Sequence, residues 1–201
     1  MKSLVYDKIR LGVAVLLYLC ATSWADAKVK LPALISDGMV LQREQSVKVW
    51  GTADAGENIT IEFQKKSYHA TADANGQWSI TLPPLKAGGP FLMQINDIKL
   101  NDILVGDVWL CSGQSNMELP VKRVMDMFSN EILNYNNEKI RHILIPQKYN
   151  FHAPQEEISA TSWKTLTQKN VMEFSALAYF FAKEMYEKTG IPVGLINSSW
   201  G

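Results

Sequence analysis

From Leu31 to about Asn96, apolar residues fall in short runs broken at close intervals by turn residues: 47–50, 59–63, 68–72, 78–82 and 91–95. Short β-type runs at that spacing predict a small all-β sandwich. Ile59, Ile61 and Phe63 alternate with Thr60 and Glu62, which puts one face of that strand in a core and the other in water. Asn75-Gly76, between two such runs, predicts a tight hairpin because both residues tolerate positive φ. Pro83-Pro84 and Gly88-Gly89-Pro90 mark further breaks. The chain has no internal repeat and no low-complexity tract.

After about Lys99 the period changes. Apolar strands are expected at 103–110, 140–145 and 193–196, with helical spacing between them. Phe174, Leu177, Ala178, Phe181, Ala182 and Met185 recur every three or four residues, the mark of a helix with one apolar stripe. Asn170 with Glu173, or Ser175 itself, is placed to cap its start; Gly190 and Pro192 stop it. Strands alternating with helices imply parallel strands joined by right-handed crossovers. The expected fold class is therefore α/β: a β-sandwich domain over 31–98, then part of a three-layer α/β domain over 99–201, with the junction near 96–102. The polar interval holding Asn130, Asn134, Asn136 and Asn137 admits a helix followed by a loop, and 146–162 is expected to form a surface loop that shapes a pocket.

Charge narrows the partners. Lys plus Arg and Asp plus Glu stand at 20 each, and no basic stripe with interleaved aromatics occurs, so a nucleic-acid partner is not expected. At the amino terminus, Lys2, Lys8 and Arg10 precede a short apolar run at 11–20 and the small residues flanking Trp24. This reads as a signal peptide over 1–25 and predicts export, to the periplasm or outside the cell; a buried amino-terminal helix is the competing reading. The run is too short for a permanent membrane anchor, which needs about 20 residues. With such a leader removed, Cys111 is the one cysteine left, so no intrachain disulfide is expected.

The candidate chemistry sits at Gly113-Gln114-Ser115-Asn116-Met117, directly after the run at 103–110. A serine on a sharp turn leaving a buried strand has its hydroxyl at the carboxyl end of the sheet, where open α/β folds keep their ligand crevice. Ser115 and Asn116 also offer backbone N–H groups to a developing oxyanion. Taken alone, the segment reads equally as an ordinary strand-to-helix loop, since serine and glycine crowd such loops for conformational reasons. A serine nucleophile needs a general base. His69, His142 and His152 are the histidines present, and none has a spacing that marks it as that base. Cys111, beside the serine, is either a catalytic thiol or a buried, inert cysteine; its place at the end of an apolar strand favours the second. No ligand spacing for a metal appears, and no cofactor is implied.

The wider text is more specific. Gly106-Asp107-Val108-Trp109-Leu110-Cys111-Ser112-Gly113-Gln114-Ser115-Asn116-Met117-Glu118 resembles the nucleophile block of sialate O-acetylesterase-like proteins of the SGNH-hydrolase group. Leu31-Pro32-Ala33-Leu34, Ser36-Asp37-Gly38-Met39-Val40-Leu41-Gln42-Arg43, Val49-Trp50-Gly51, Ala87-Gly88-Gly89-Pro90 and Gly194-Leu195-Ile196-Asn197-Ser198-Ser199-Trp200-Gly201 look like that family too, in its order. The resemblance implies an SGNH-type α/β domain and a serine esterase, with Ser115 attacking the acetyl ester of an O-acetylated sugar or glycan. It implies oxyanion or substrate contacts from Asn116, Gly201 and Gln114, and a catalytic histidine in a downstream Asp-x-x-His block that these residues do not contain. The chain is therefore expected to be the amino-terminal part of a longer esterase. The alternative is a non-catalytic carbohydrate-binding or interaction module that holds a glycan on Trp50, Tyr68 and Trp78, residues whose strand positions fit a core as well.

Overall fold

The alternation at Ile59, Ile61 and Phe63 forms strand β3 (Asn58–Phe63), with all three side chains buried. Burying each such side chain contributes roughly 1.5–3 kcal/mol. The computed structural model describes residues 29–155, 157–159 and 161–201; the signal peptide expected over 1–25 lies outside them. The other strands of the first half are β1 (Val40–Gln42), β2 (Val47–Thr52), β4 (Lys66–Thr71), β5 (Gln77–Leu82) and β6 (Gly88–Ile95). The two-stranded sheet β2-β5 contributes Val49, Trp78, Ile80 and Leu82 to a core shared with Ile59, Ile61, Phe63, Met93 and Ile95 of the facing sheet. The result is the expected small sandwich.

The second half is built on β7 (Ile98–Gly113), followed by helix α1 (Ser115–Glu118), helix α2 (Met125–Leu133), β8 (Asn137–Leu144), β9 (Lys164–Leu166), helix α3 (Ala176–Thr189) and β10 (Val193–Ser199). The large sheet runs β4-β3-β6-β7-β10-β8-β9, with β1 also on β7. β10 is parallel to both β7 and β8, as strands separated by helices should be. Strand β7 runs through the junction expected near 96–102. Up to Val105 it pairs antiparallel with β6, and from Asp107 to Gly113 parallel with β10. The side chains of Gln42 and Arg43 finish its edge at the changeover: Gln42 Oε1 accepts from the Val108 N–H at 2.8 Å, and Arg43 Nε donates to Asp107 Oδ1 at 2.8 Å. Among the described residues, no strand lies beside β7 on that side beyond this point.

Helix α3 covers one face of the parallel strands. Ala178, Tyr179 and Ala182 pack there with Cys111, Ile140, Val193 and Leu195. Of the two capping possibilities, Ser175 is the one used: its Oγ accepts from the Ala178 N–H at 3.2 Å, and Gly190 ends the helix in the left-handed conformation.

Three expectations change. Asn75-Gly76 does not close a hairpin. It carries the chain from β4 in one sheet to β5 in the other, and Asp73 organises the crossing by accepting from the Asn75 and Gln77 N–H groups at 2.8 and 2.9 Å. The tight hairpin lies instead between β3 and β4 at Gln64-Lys65, both at positive φ although neither is the usual residue for it. Of the aromatic residues offered to a glycan, Trp78 is buried in the sandwich core, while Trp50 and Tyr68 pack against it and stay half-buried.

Candidate active site

Strand β7 ends at Gly113, whose φ of 142° is open to glycine and strained for other residues. The chain then reverses: the Gln114 carbonyl accepts from the Met117 and Glu118 N–H groups at 2.9 and 3.0 Å, which starts α1 at Ser115. As the first amides of that helix, those of Ser115 and Asn116 have no partner within it. Ser115 is exposed, and it lines a cleft of about 520 Å³ with Glu118, Arg123, Leu144, Gln147 and Asn197. These residues come from the carboxyl ends of β7, β8 and β10 and from the segments that follow, as parallel register requires. On the far side, α1 is tied to the start of α3 through Ala176 N–H to the Leu119 carbonyl at 2.8 Å.

Gly201 reaches the same place. The Trp200 N–H donates to the Gly113 carbonyl at 2.8 Å, and Gly201 packs so closely that a Cβ on it would lie 2.7 Å from Ser115 Cα and N. Its own N–H, expected to face an oxyanion, donates instead to Glu118 Oε2 at 2.7 Å. Glu118 Oε1 accepts from Gln147 Nε2 at 2.9 Å, so one carboxylate joins the serine helix, the second residue after β10 and the loop after β8. A hydrogen bond to a charged group contributes about 1.5–3 kcal/mol. Glu118→Ala is therefore expected to speed amide exchange at Gly201 by about tenfold or more, read by NMR; an unchanged rate would show that the contact carries no weight.

The structure brings Ser115, Asn116, Gln114 and Gly201 to one end of the sheet, with the first three exposed. It does not bring a histidine there: among the described residues none lines the cleft. His69 lies on β4 with Nδ1 3.1 Å from Thr60 Oγ1, and His152 is exposed in the loop after β8. His142 is buried on the helix-covered face of β8, stacked on Phe174 with ring centroids 4.5 Å apart, and its Nε2 has no hydrogen-bond partner. Burial pushes its pKa down to about 4. The imidazole is thus neutral in the fold and takes up a proton near pH 6.5 once unfolded. Its contribution is complete above pH 6.5 and is lost as pH falls from 6.5 to 4. Urea titrations across that window should show a loss on the order of 3 kcal/mol that His142→Phe diminishes; an equal loss in that variant would assign the sensitivity elsewhere.

Cys111 points into the helix-covered core, away from the cleft, and burial raises its pKa, so the thiol stays protonated and unreactive. Among the described residues no three His, Cys, Asp or Glu side chains group as metal ligands, and no helix is long and apolar enough to cross a membrane.

Asn197 and Glu118 escaped the reading of single motifs. Asn197 is buried at the end of β10, where its Oδ1 accepts from Ser199 Oγ at 2.7 Å and from the Ser199 N–H at 3.2 Å. An asparagine closing an otherwise apolar strand was the available signal. Glu118 had none, because its partners lie far away along the chain.

The fold that places this serine turn beside a small β-sandwich is similar to that of a solved carbohydrate acetylesterase from Xanthomonas citri. The two match with a TM-score of 0.81 and 39% identity, over 87% of this chain and 41% of that one. No family model matches the chain. The protein named sialate O-acetylesterase from Homo sapiens is 30% identical over 213 aligned residues, covering 95% of this chain and 40% of that protein; that of Mus musculus is 28% identical, covering 94% and 39%. Over these residues the chain resembles the sialate O-acetylesterases, and it spans about 40% of the length of the curated relatives it matches.

Proposed function

We propose that these residues carry the nucleophile side of an exported carbohydrate O-acetylesterase. Ser115 Oγ attacks the carbonyl carbon of a sugar acetyl ester while its proton passes to a general base. The bond from that carbon to the sugar oxygen then breaks, and the sugar leaves as an alcohol with the proton returned to it. Water, deprotonated by the same base, hydrolyses the acetyl-serine to acetate. The amides of Ser115 and Asn116 support the oxyanion, and Gln114 holds the turn. Gly201 packs against the serine, with its N–H available to an oxyanion when Glu118 releases it. No histidine among the described residues lines the cleft, so the base is assigned to a residue other than those that line it here.

The observation that carries the reading is the exposed Ser115 at the head of α1, facing a cleft built from the ends of three parallel strands. The printed activities of the relatives support the acetyl ester and the sugar. The amino-terminal pattern of basic and apolar residues supports export. The test is to treat a form of the protein that carries its general base with a fluorophosphonate and map the adduct by mass spectrometry, beside acetate release from an O-acetylated sugar. Labelling at Ser115 with loss of acetate release is expected; acetate release that survives full labelling of Ser115 would sink the mechanism.

A further inference from the structure

The loop after β8 carries the most exposed aromatic rings of the described residues. Phe151 is 87% exposed and Tyr149 70%, and they stack with centroids 5.7 Å apart and planes 17° from parallel. Tyr149 also meets Trp200, 38% exposed, at 4.5 Å. Scattered exposed apolar residues need no explanation, but three rings in mutual contact on a surface, two of them stacked and the third tilted against them, mark a binding site. None of the three belongs to a core cluster.

Their surroundings define the ligand. Trp200 borders a hollow of about 210 Å³ whose wall sets Lys148, Gln155, Glu157 and Ser198 among apolar residues such as Ile158. A wholly apolar ligand would leave those groups unpaired. A pyranose ring fits both halves: its C–H face carries slight positive charge and lies against the negative face of an aromatic ring, while its rim of hydroxyls meets hydrogen-bonding side chains. Lys148 and Glu157 bring opposite charges to the wall, which suits a neutral sugar better than an acidic one.

The position relates this hollow to the reaction. It shares Ile145, Pro146 and Gln147 with the cleft at Ser115. Gln147 Nε2 spans the boundary, donating to Glu118 Oε1 at 2.9 Å on one side and to the Ser199 carbonyl at 3.3 Å on the other. We propose that Tyr149, Phe151 and Trp200 form a stacking platform for a neutral pyranose ring of an oligosaccharide whose acetylated ring occupies the Ser115 cleft. The platform selects acetylated oligosaccharides over acetylated monosaccharides. The inference rests on the esterase reading for its acetylated ring, whereas the platform itself can be tested without catalysis.

The test uses the full chain carrying Ser115→Ala, which retains ligand, titrated calorimetrically with acetylated xylotetraose and with acetylated methyl xyloside. Stacking of a nucleic-acid base on an aromatic side chain is worth about tenfold or more in affinity, and with a sugar face taken as comparable the tetrasaccharide should bind about tenfold or more tightly than the monosaccharide. Tyr149→Ala and Phe151→Ala together should bring the tetrasaccharide down to the affinity of the monosaccharide, and Tyr149→Phe with Phe151→Tyr should restore it. Equal tetrasaccharide affinity in the parent and the double alanine variant would overturn the platform, as would failure of the parent to bind the tetrasaccharide. Acetate release is followed separately in a form of the protein that has Ser115 intact and carries its general base. Aromatic-dependent binding with no acetate release from any acetyl ester would overturn the esterase reading and leave the platform standing.

Discussion

Replacing Ser115 by alanine is expected to lower acetate release by about 10⁴-fold or more in a form of the protein that carries its general base, because members of a nucleophile and base unit fail together. The fold should not notice. Ser115 is exposed, and its hydroxyl makes no hydrogen bond to another described residue, so the thermal midpoint is expected to stay within a degree or two of the parent, roughly the effect of a neutral surface change. Measured side by side, initial rates and melting curves separate chemistry from stability. A loss below about tenfold would mean that the acetyl group is attacked by something else, for instance a water activated directly.

The largest structural effect is expected at Phe174. Its ring is buried between α3 and the sheet, belongs to the core that holds Ile140, Leu195 and Tyr179, and lies against the His142 imidazole. Phe174→Ala removes that packing and leaves a cavity, with an expected loss of about 3–5 kcal/mol in urea denaturation. The milder Phe174→Leu keeps a fold fit for NMR, and there the His142 pKa should climb from about 4 toward the ordinary 6.5 as water gains access. A destabilisation under 1 kcal/mol in the alanine variant, or a His142 pKa that does not move in the leucine one, would show that the ring does not seal this part of the core.

What could be read from the sequence depended on the range of the interaction. The alternation at 59–63 is local and took the form its period demanded; the helix expected from Phe174 to Met185 formed from Ala176, but its buried face runs through Ala178, Tyr179 and Ala182 and leaves Leu177 and Phe181 of the expected stripe exposed. Strands β1 and β9 have three residues each, too few for a period to emerge, and exist because β7 and β8 offer them edges. Asn75-Gly76 is compatible with a hairpin and with a crossover alike; the choice lay in which sheet accepted β5, a matter settled by Val49 and Leu82 rather than by the turn. At the site, the serine turn was visible because glycine and an apolar strand flank it. The Glu118 to Gly201 bond was not, since it joins residues from opposite ends of the α/β half, and neither was the grouping of Tyr149 with Trp200.

Strand β7 gives this molecule an order of assembly. Its first half zips against β6 around a two-residue turn, whereas its second half waits for β10, with Asp107 meeting Val193 only after the intervening helices have been made. Loop closure of that length is slow compared with a hairpin. On that ground the sandwich is expected to be the template on which the strand leading to Ser115 is laid out first, and a lesion in the hairpin at Asn96 is expected to delay the serine turn without touching it.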